Sequence, residues 1–330
     1  MFTLAFKGSR IIKTAIAVFL TAWLCAWLNW PATFAVITAI VTLEPTVTDS
    51  VKKGFIRFPA SAIGAFYTVF SVFLLGHGPL TYTVSAALTI ATCYKLKLHD
   101  GLLVATLTAV AMVDVVHSNF LVAFFVRLGT TSIGLFVSTA VNMLVFPPEY
   151  SKAIHKQLTI LTQQVYQLST QVTTALLQGE TERATQKAAL LALQKQLALT
   201  TKLVSFQEKD TFHPFAAKSS FALAPQKAQL TALTRMVYHL DNLLALPLVK
   251  PKWQQAEQQQ LLQANHALLT AQNQQVYHQN LALFTTQFFN EQKQANDTSF
   301  LPVESLLLYE IIALYQQLPH LNQQAIEKAP

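Results

Sequence analysis

From Ile11 to Phe146 the chain is a nearly continuous series of apolar segments, and from Pro147 onward it turns glutamine-rich and leucine-periodic. That change of character constrains the fold more than any other feature. An apolar run of about 20 residues, with a range near 17–25, is the length of a membrane-crossing helix. Composition agrees: the chain is 52% hydrophobic but only 12% charged, about half the charged share of an ordinary soluble domain, roughly 25%. The break falls at "FPPEY", 146–150, where two prolines stop a helix and a polar stretch begins. The sequence therefore predicts an all-α membrane protein with a transmembrane domain over 1–148 and a helical domain over 149–330.

Six spans are predicted, at 12–30, 32–48, 56–76, 79–94, 101–117 and 121–146. The fourth and fifth lie at or just below the usual length, which leaves a re-entrant pair open. Charge sets the orientation. Lys7, Arg10 and Lys13 precede the first span, Lys52, Lys53 and Arg57 lie between the second and third, Lys95 and Lys97 follow the fourth, and Lys152 and Lys156 follow the sixth. The intervening connections "NWP", "GHGP" and "VHSN" carry no lysine or arginine. Positive residues collect on the cytoplasmic side, so both termini are expected in the cytoplasm of a multi-pass membrane protein. "NWPATF" after the first span is not a small-residue cleavage site, so this span is not read as a signal peptide.

Sliding the chain on itself by seventy residues aligns "ITAIVTLEPTV" (37–47) with "LTAVAMVDVVH" (107–117), placing Thr38 over Thr108 and Glu44 over Asp114. The same shift places Arg57, Ser61, Gly64 and Thr68 over Arg127, Thr131, Gly134 and Ser138. Intervals of four, three and four put each set on one helical face. Asn142 extends the second stripe. Small residues so spaced let membrane helices pack closely. An ionisable residue inside the membrane points instead to a bundle interior or an aqueous path. Each copy contains three spans, an odd number, so the copies enter the membrane in opposite directions. Inverted repeats of this kind recur in secondary transporters, with the substrate site where the repeats meet.

Arg57 can serve as a positive-inside anchor, but Arg127 lies about seven residues into the sixth span, where no anchor is needed. A charge near the bilayer centre costs about 2.5–3.5 kcal/mol, so a partner or a hydrated cavity must offset it. Asp114 is the expected partner of Arg127, and Glu44 by symmetry that of Arg57. A guanidinium suits carboxylate recognition, and a carboxylate that titrates on burial could exchange protons as an anion passes. Arg10 and Lys13 share one face of the first span and read equally as anchors or as a cytoplasmic anion funnel.

No cofactor, metal site or enzymatic centre is expected. Cys25 and Cys93 both lie in apolar runs and read as small buried hydrophobes. The nine histidines show no ligand spacing. No phosphate-binding loop or nucleophile elbow occurs. Lys95, Lys97, His99 and Asp100 read as a solvated turn. The second half, with Leu158, Leu161, Val165, Leu168 and Val172 at alternating threes and fours, reads as a bundle of about four to six amphipathic helices interrupted at "EKDTFHPF", "LPLVKPKW" and "NDTSFLP". Its lysines are scattered among acids, so nucleic acid is not an expected partner.

"GSRIIKTAIA", an "E-P-T" closing the second span, "R-x6-G" opening the third and "R-x6-G…VNMLVFPPEY" closing the sixth resemble the Gram-positive aromatic acid exporter family, within the fusaric acid resistance-type permeases. "YHLDNLL" at 238–244 is similar to part of that family's C-terminal domain. The resemblance implies export of aromatic or other organic acid anions by a homo-oligomer in contact with membrane lipid. One departure stands out: Pro59 follows Arg57 where Gly129 follows Arg127. Two further readings of the architecture remain at this stage, an organic-anion channel and a membrane-anchored helical scaffold without transport activity.

Overall fold

The computed structural model describes residues 2–115, 119–145, 150–179, 183–210, 223–247, 252–270, 274–294 and 301–321, with side chains from residue 10 onward. The described residues are helices and short connections. They form two compact units, one of residues 1–149 with 206–217 and one of 150–205 with 218–330. Half or more of the "FPPEY" break and of each of the three interruptions foreseen in the second half lies outside the described residues.

The first unit contains α1 (Phe2–Trp27), α2 (Ala32–Thr42), α3 (Val47–Leu75), α4 (Pro79–Lys95), a 3-10 turn (His99–Gly101), α5 (Leu102–Ala111) and α6 (Phe120–Leu144). Among the described residues three stretches are long and apolar enough to cross a membrane: Arg10–Trp27, Val47–Leu75 and Phe120–Leu144. Phe19, Trp23, Trp27, Phe125 and Phe136 point outward and are largely exposed, as side chains facing lipid are.

The short elements are only in part the ones expected: the fifth helix is short, but its companion is the second, not the fourth. α2 has 11 residues and α5 has 10, so each rises about 15–16 Å, roughly half a hydrocarbon core. α4, at 17 residues, is longer than either. The cause lies in "LEPTV": Pro45 cannot continue α2, and Thr46 caps α3 by accepting the Asp49 N–H at 3.0 Å. α3 therefore starts at Val47 instead of 56, and Arg57 sits in its third turn, not at its start. Pro59 is accommodated inside α3. Left-handed Asn29, Lys97 and Gly76 turn the chain between helices.

α2 packs on α6 and α3 on α5; α1 packs on α2 and α4 on α5; α1 packs on α6 and α4 on α3; and α3 packs on α6. Replacing each helix by its counterpart seventy residues away maps these contacts onto themselves. Two glycines make the closest approaches to main-chain atoms. A Cβ on Gly64 would lie 2.3 Å from the Ala105 carbonyl oxygen, and one on Gly134 would lie 2.5 Å from the Ala35 carbonyl oxygen. Ala35 and Ala105 are themselves counterparts.

The second unit consists of α7 (Ser151–Gln178), most of α8 (Arg183–Lys209), α9 (Leu223–Ala245), α10 (Gln255–Thr270), α11 (Gln274–Gln294) and α12 (Val303–Tyr315). Leu158, Leu161, Val165, Leu168 and Val172 of α7 are all buried, as their spacing requires. Tyr315 is fully buried; its hydroxyl donates to Asn265 Oδ1 and lies 3.3 Å from Thr173 Oγ1. Burial holds that phenol well above the usual tyrosine range.

Candidate functional site

The first unit holds two buried polar clusters, one around each arginine of the seventy-residue pair. The first forms where α2 gives way to α3. Glu44 accepts from Arg57 Nη2 at 2.5 Å and from Lys53 Nζ at 3.1 Å. Arg57 Nε donates to the Asp100 carbonyl at 3.2 Å, so the turn read as merely solvated supplies a main-chain partner. Asn142 joins the surrounding elements. Its Nδ2 lies 2.9 Å from the Glu44 carbonyl, 3.2 Å from the Thr46 carbonyl and 2.9 Å from Ser50 Oγ, and its Oδ1 accepts from Lys13 Nζ at 2.9 Å. Lysine has no acceptor, so this contact fixes which way the amide faces. Asp210, just beyond α8, belongs to this unit; its Oδ1 accepts from the Thr48 N–H at 3.2 Å and lies 3.3 Å from Thr48 Oγ1. Arg10 is exposed, and no described side chain of the cluster bonds to it.

The second cluster lies at the middle of the bundle. Arg127 is only 4% exposed. Its Nη2 donates to Thr108 Oγ1 at 2.5 Å, and its guanidinium carbon sits 4.4 Å from the centroid of the Phe34 ring. Thr108 meets Ser61 at 3.1 Å, Ser61 meets Thr131 at 3.2 Å, and Thr131 donates to the Arg127 carbonyl at 2.9 Å. Each hydroxyl has one proton. With Arg127 donating at one end and its carbonyl accepting at the other, the ring can run in one direction only: guanidinium, Thr108, Ser61, Thr131, carbonyl. Ser61 and Thr131 are counterparts in the repeat, and they touch each other.

Asp114 does not pair with Arg127. Because α5 stops at Ala111, the carboxylate lies past the helix end, exposed, and accepts from the Tyr82 hydroxyl of α4. Among the described residues no carboxylate compensates Arg127, and its Nε and Nη1 are buried without a hydrogen-bond partner. A phenyl face attracts a cation by about 0.5–2 kcal/mol, which is less than the insertion cost of about 2.5–3.5 kcal/mol. The site therefore retains a buried positive charge with free donors, which is the requirement for holding an anion.

The remaining stripe residues pack helices. Thr68 donates to the main chain, its Oγ1 lying 2.9 Å from the Gly64 carbonyl and 2.8 Å from that of Ala109; Ser138 meets Thr42 at 2.7 Å. Sequence reading gives Lys53 only a place among the orienting charges and Thr108 only a place in the repeat, and it does not single out Ser50, Phe34, Tyr82 or Asp210. Thr108 carried a signal, since it is the aligned counterpart of Thr38. Asp210 carried none, being one acid in a polar interruption far from the spans.

Comparison with known proteins gives one match to the membrane half and several that run along most of the chain. Residues 5–145 match the model of the aromatic acid exporter family member 1. A UPF0421 protein of Oceanobacillus iheyensis is 41% identical over 94% of this chain and 94% of its own. One of Bacillus cereus is 37% identical over 96% of this chain and 94% of its own. One of Staphylococcus saprophyticus is 37% identical over 73% of this chain and 74% of its own. The chain belongs to the aromatic acid exporter family. Membership in this family suggests a membrane transporter, and the matched segment contains every residue of both polar clusters except Asp210.

Proposed function

We propose that this member of the family exports organic acid anions, aromatic ones included, across the bacterial cell membrane along a path that passes Arg127. The observation that carries this reading is the uncompensated guanidinium: 4% exposed, unpaired with any described acid, and with two of its three nitrogens unpartnered. Inside a bundle, such a group is stable only if an anion or water shares its site part of the time.

The architecture proposed around it is six crossings in two inverted three-helix repeats, with both termini cytoplasmic. The self-mapping contacts of α1–α6 support the repeat, as do the matched Gly64–Ala105 and Gly134–Ala35 approaches and the meeting of Ser61 with its own counterpart Thr131. The short α2 and α5 followed by acidic non-helical backbone fit the interrupted helices that line transporter sites. Lys13, Lys52, Lys53 and Arg57, all at the end where α2 meets α3, fit a cytoplasmic location for that end. Glu44, Asn142 and Lys13 form the inner closure of the path, while Asp114 stands at its outer end.

The test is flux of a labelled aromatic carboxylate panel in proteoliposomes, wild type against Arg127→Gln, with and without a pH gradient. Gradient-driven movement lost in the variant supports proton-coupled export. Voltage-steered movement indifferent to the proton gradient would replace the exporter with a channel. No movement of any anion would leave a helical scaffold.

A further inference from the structure

The two arginines occupy equivalent places in matched surroundings, yet they are caught in different arrangements. Arg57 is closed on its acid, thirteen residues before it, and Arg127 stands apart from the acid thirteen residues before it. We propose that Asp114 is the counter-ion of Arg127 in an alternate arrangement of the bundle, in which Glu44 has released Arg57. The inference rests on the transporter reading above and gives that path its two ends.

The seventy-residue shift supplies a counterpart for each partner that the exchanged arrangement needs. Arg57 Nε now donates to the Asp100 carbonyl, and the counterpart acceptor for Arg127 Nε is the carbonyl of Trp30. Arg127 Nη2 now donates to Thr108, and the counterpart acceptor for Arg57 is Thr38, whose hydroxyl is at present turned back to the Phe34 carbonyl at 2.8 Å. The unpartnered Nε of Arg127 is thus a donor whose acceptor belongs to the other arrangement. The contacts that hold the helices together, Gly64 on Ala105 and Gly134 on Ala35, have the same form in both halves. Exchanging the two local geometries therefore replaces one set of close approaches by an equivalent set. The Tyr82 hydroxyl is the latch of the present arrangement, since it occupies Asp114.

The chemical consequence is competition. A carried carboxylate and the Asp114 carboxylate seek the same guanidinium donors, and two anions cannot share one buried cation without strong mutual repulsion. Closure of Asp114 on Arg127 expels the anion, and closure of Glu44 on Arg57 does the same at the other end. Each acid is then a positioning residue, acting on the anion through its arginine.

Cross-linking in membranes tests the exchange without any added anion. In the full chain with Cys25→Ala and Cys93→Ala, one cysteine pair replaces Asp114 and Arg127, and a control pair replaces Glu44 and Arg57. A short bifunctional thiol reagent reports how often each pair closes. Adding Glu44→Gln to the first pair should raise its yield about fivefold or more, the low end of ordinary site-to-site coupling. Adding Tyr82→Phe to the control pair, a mild change that preserves folding, should lower its yield by a similar factor. Yields unmoved by either change in monodisperse protein overturn the exchange even if anions are transported. Reciprocal changes establish the exchange even if none of the tested anions moves, so its failure and that of the exporter reading are told apart.

Discussion

Arg57 and Arg127 head the same small-residue stripe on matched helices, and the structure gives them opposite electrostatic settings. Around Arg57 stand Glu44, Lys53, the Asp100 carbonyl and an Asn142-centred set of hydrogen bonds. Around Arg127 stand one threonine hydroxyl and one phenyl ring. The difference comes from neighbours that the repeat does not share. The counterpart of Lys53 is Ala123, that of Lys13 is Thr83, and that of Asn142 is Val72. Even Gly129, the counterpart of Pro59, admits something its partner does not: the Trp30 ring lies where a Cβ would be, 2.3 Å away. A motif residue in a membrane bundle takes its role from the groups that satisfy it. Arg57 is closed on an acid with one nitrogen left unpartnered, whereas Arg127 has no acid and two nitrogens left to offer.

The largest expected effects separate those two roles. Arg127→Gln should cut anion flux by about tenfold to a hundredfold, the equivalent of a 1.5–3 kcal/mol hydrogen bond to a charged group, while leaving thermal stability in detergent nearly unchanged. Arg57→Gln should do the reverse first, lowering stability by about 3 kcal/mol, because Glu44 then remains buried with Lys53 alone. Equal stability losses in both variants would erase the contrast. Asn142→Leu comes next. It strands Lys13 and the Glu44 and Thr46 carbonyls, at about 1–3 kcal/mol for buried polar groups left unpaired, whereas Val72→Leu at the counterpart position should cost less than half as much in the same melt. Gly64→Ala and Gly134→Ala probe what the halves have in common. Each new methyl meets a backbone carbonyl, and both should destabilise by about 1–3 kcal/mol, the cost of overpacking. Melting temperatures that fall together would sharpen the equivalence, and a large inequality would break it.

Much of this was legible in the sequence, because apolar periodicity and repeat spacing are local and additive. The stripe with Ser61, Gly64, Thr131 and Gly134 could be read from intervals alone, and so could the acid–arginine spacing that brings Glu44 to Arg57. What escaped depended on where helices stop. The expected 32–48 span overran Pro45, so the shortness of α2 went unseen and Arg57 was placed at a helix start. Asp114 was assigned to Arg127 as though α5 continued to it, but the helix ends at Ala111 and the carboxylate turns to Tyr82. Asn142 was visible as one more polar residue on a stripe. Its reach to three main-chain and side-chain acceptors arises only from the packing of α6 against the α2–α3 corner.

The smallest effect tests the one acid that comes to Arg57's end from outside the repeat. Asp210 reinforces the first turn of α3 through Thr48, and nothing comparable stands at the end of Arg127 among the described residues. Asp210→Asn keeps an oxygen that can accept the Thr48 N–H, removes the negative charge at a helix N-terminus, and should cost about 0.5–1 kcal/mol. Asp210→Ala also leaves that N–H without its acceptor and should cost about 1–2 kcal/mol, as the loss of a capping side chain does. Thermal melts of the full chain resolve the order. If both substitutions leave stability unchanged while Arg57→Gln lowers it, Asp210 contributes nothing to the closed end. The asymmetry between the halves would then reside wholly in Lys13, Lys53 and Asn142, whose counterparts lack their charge or their amide.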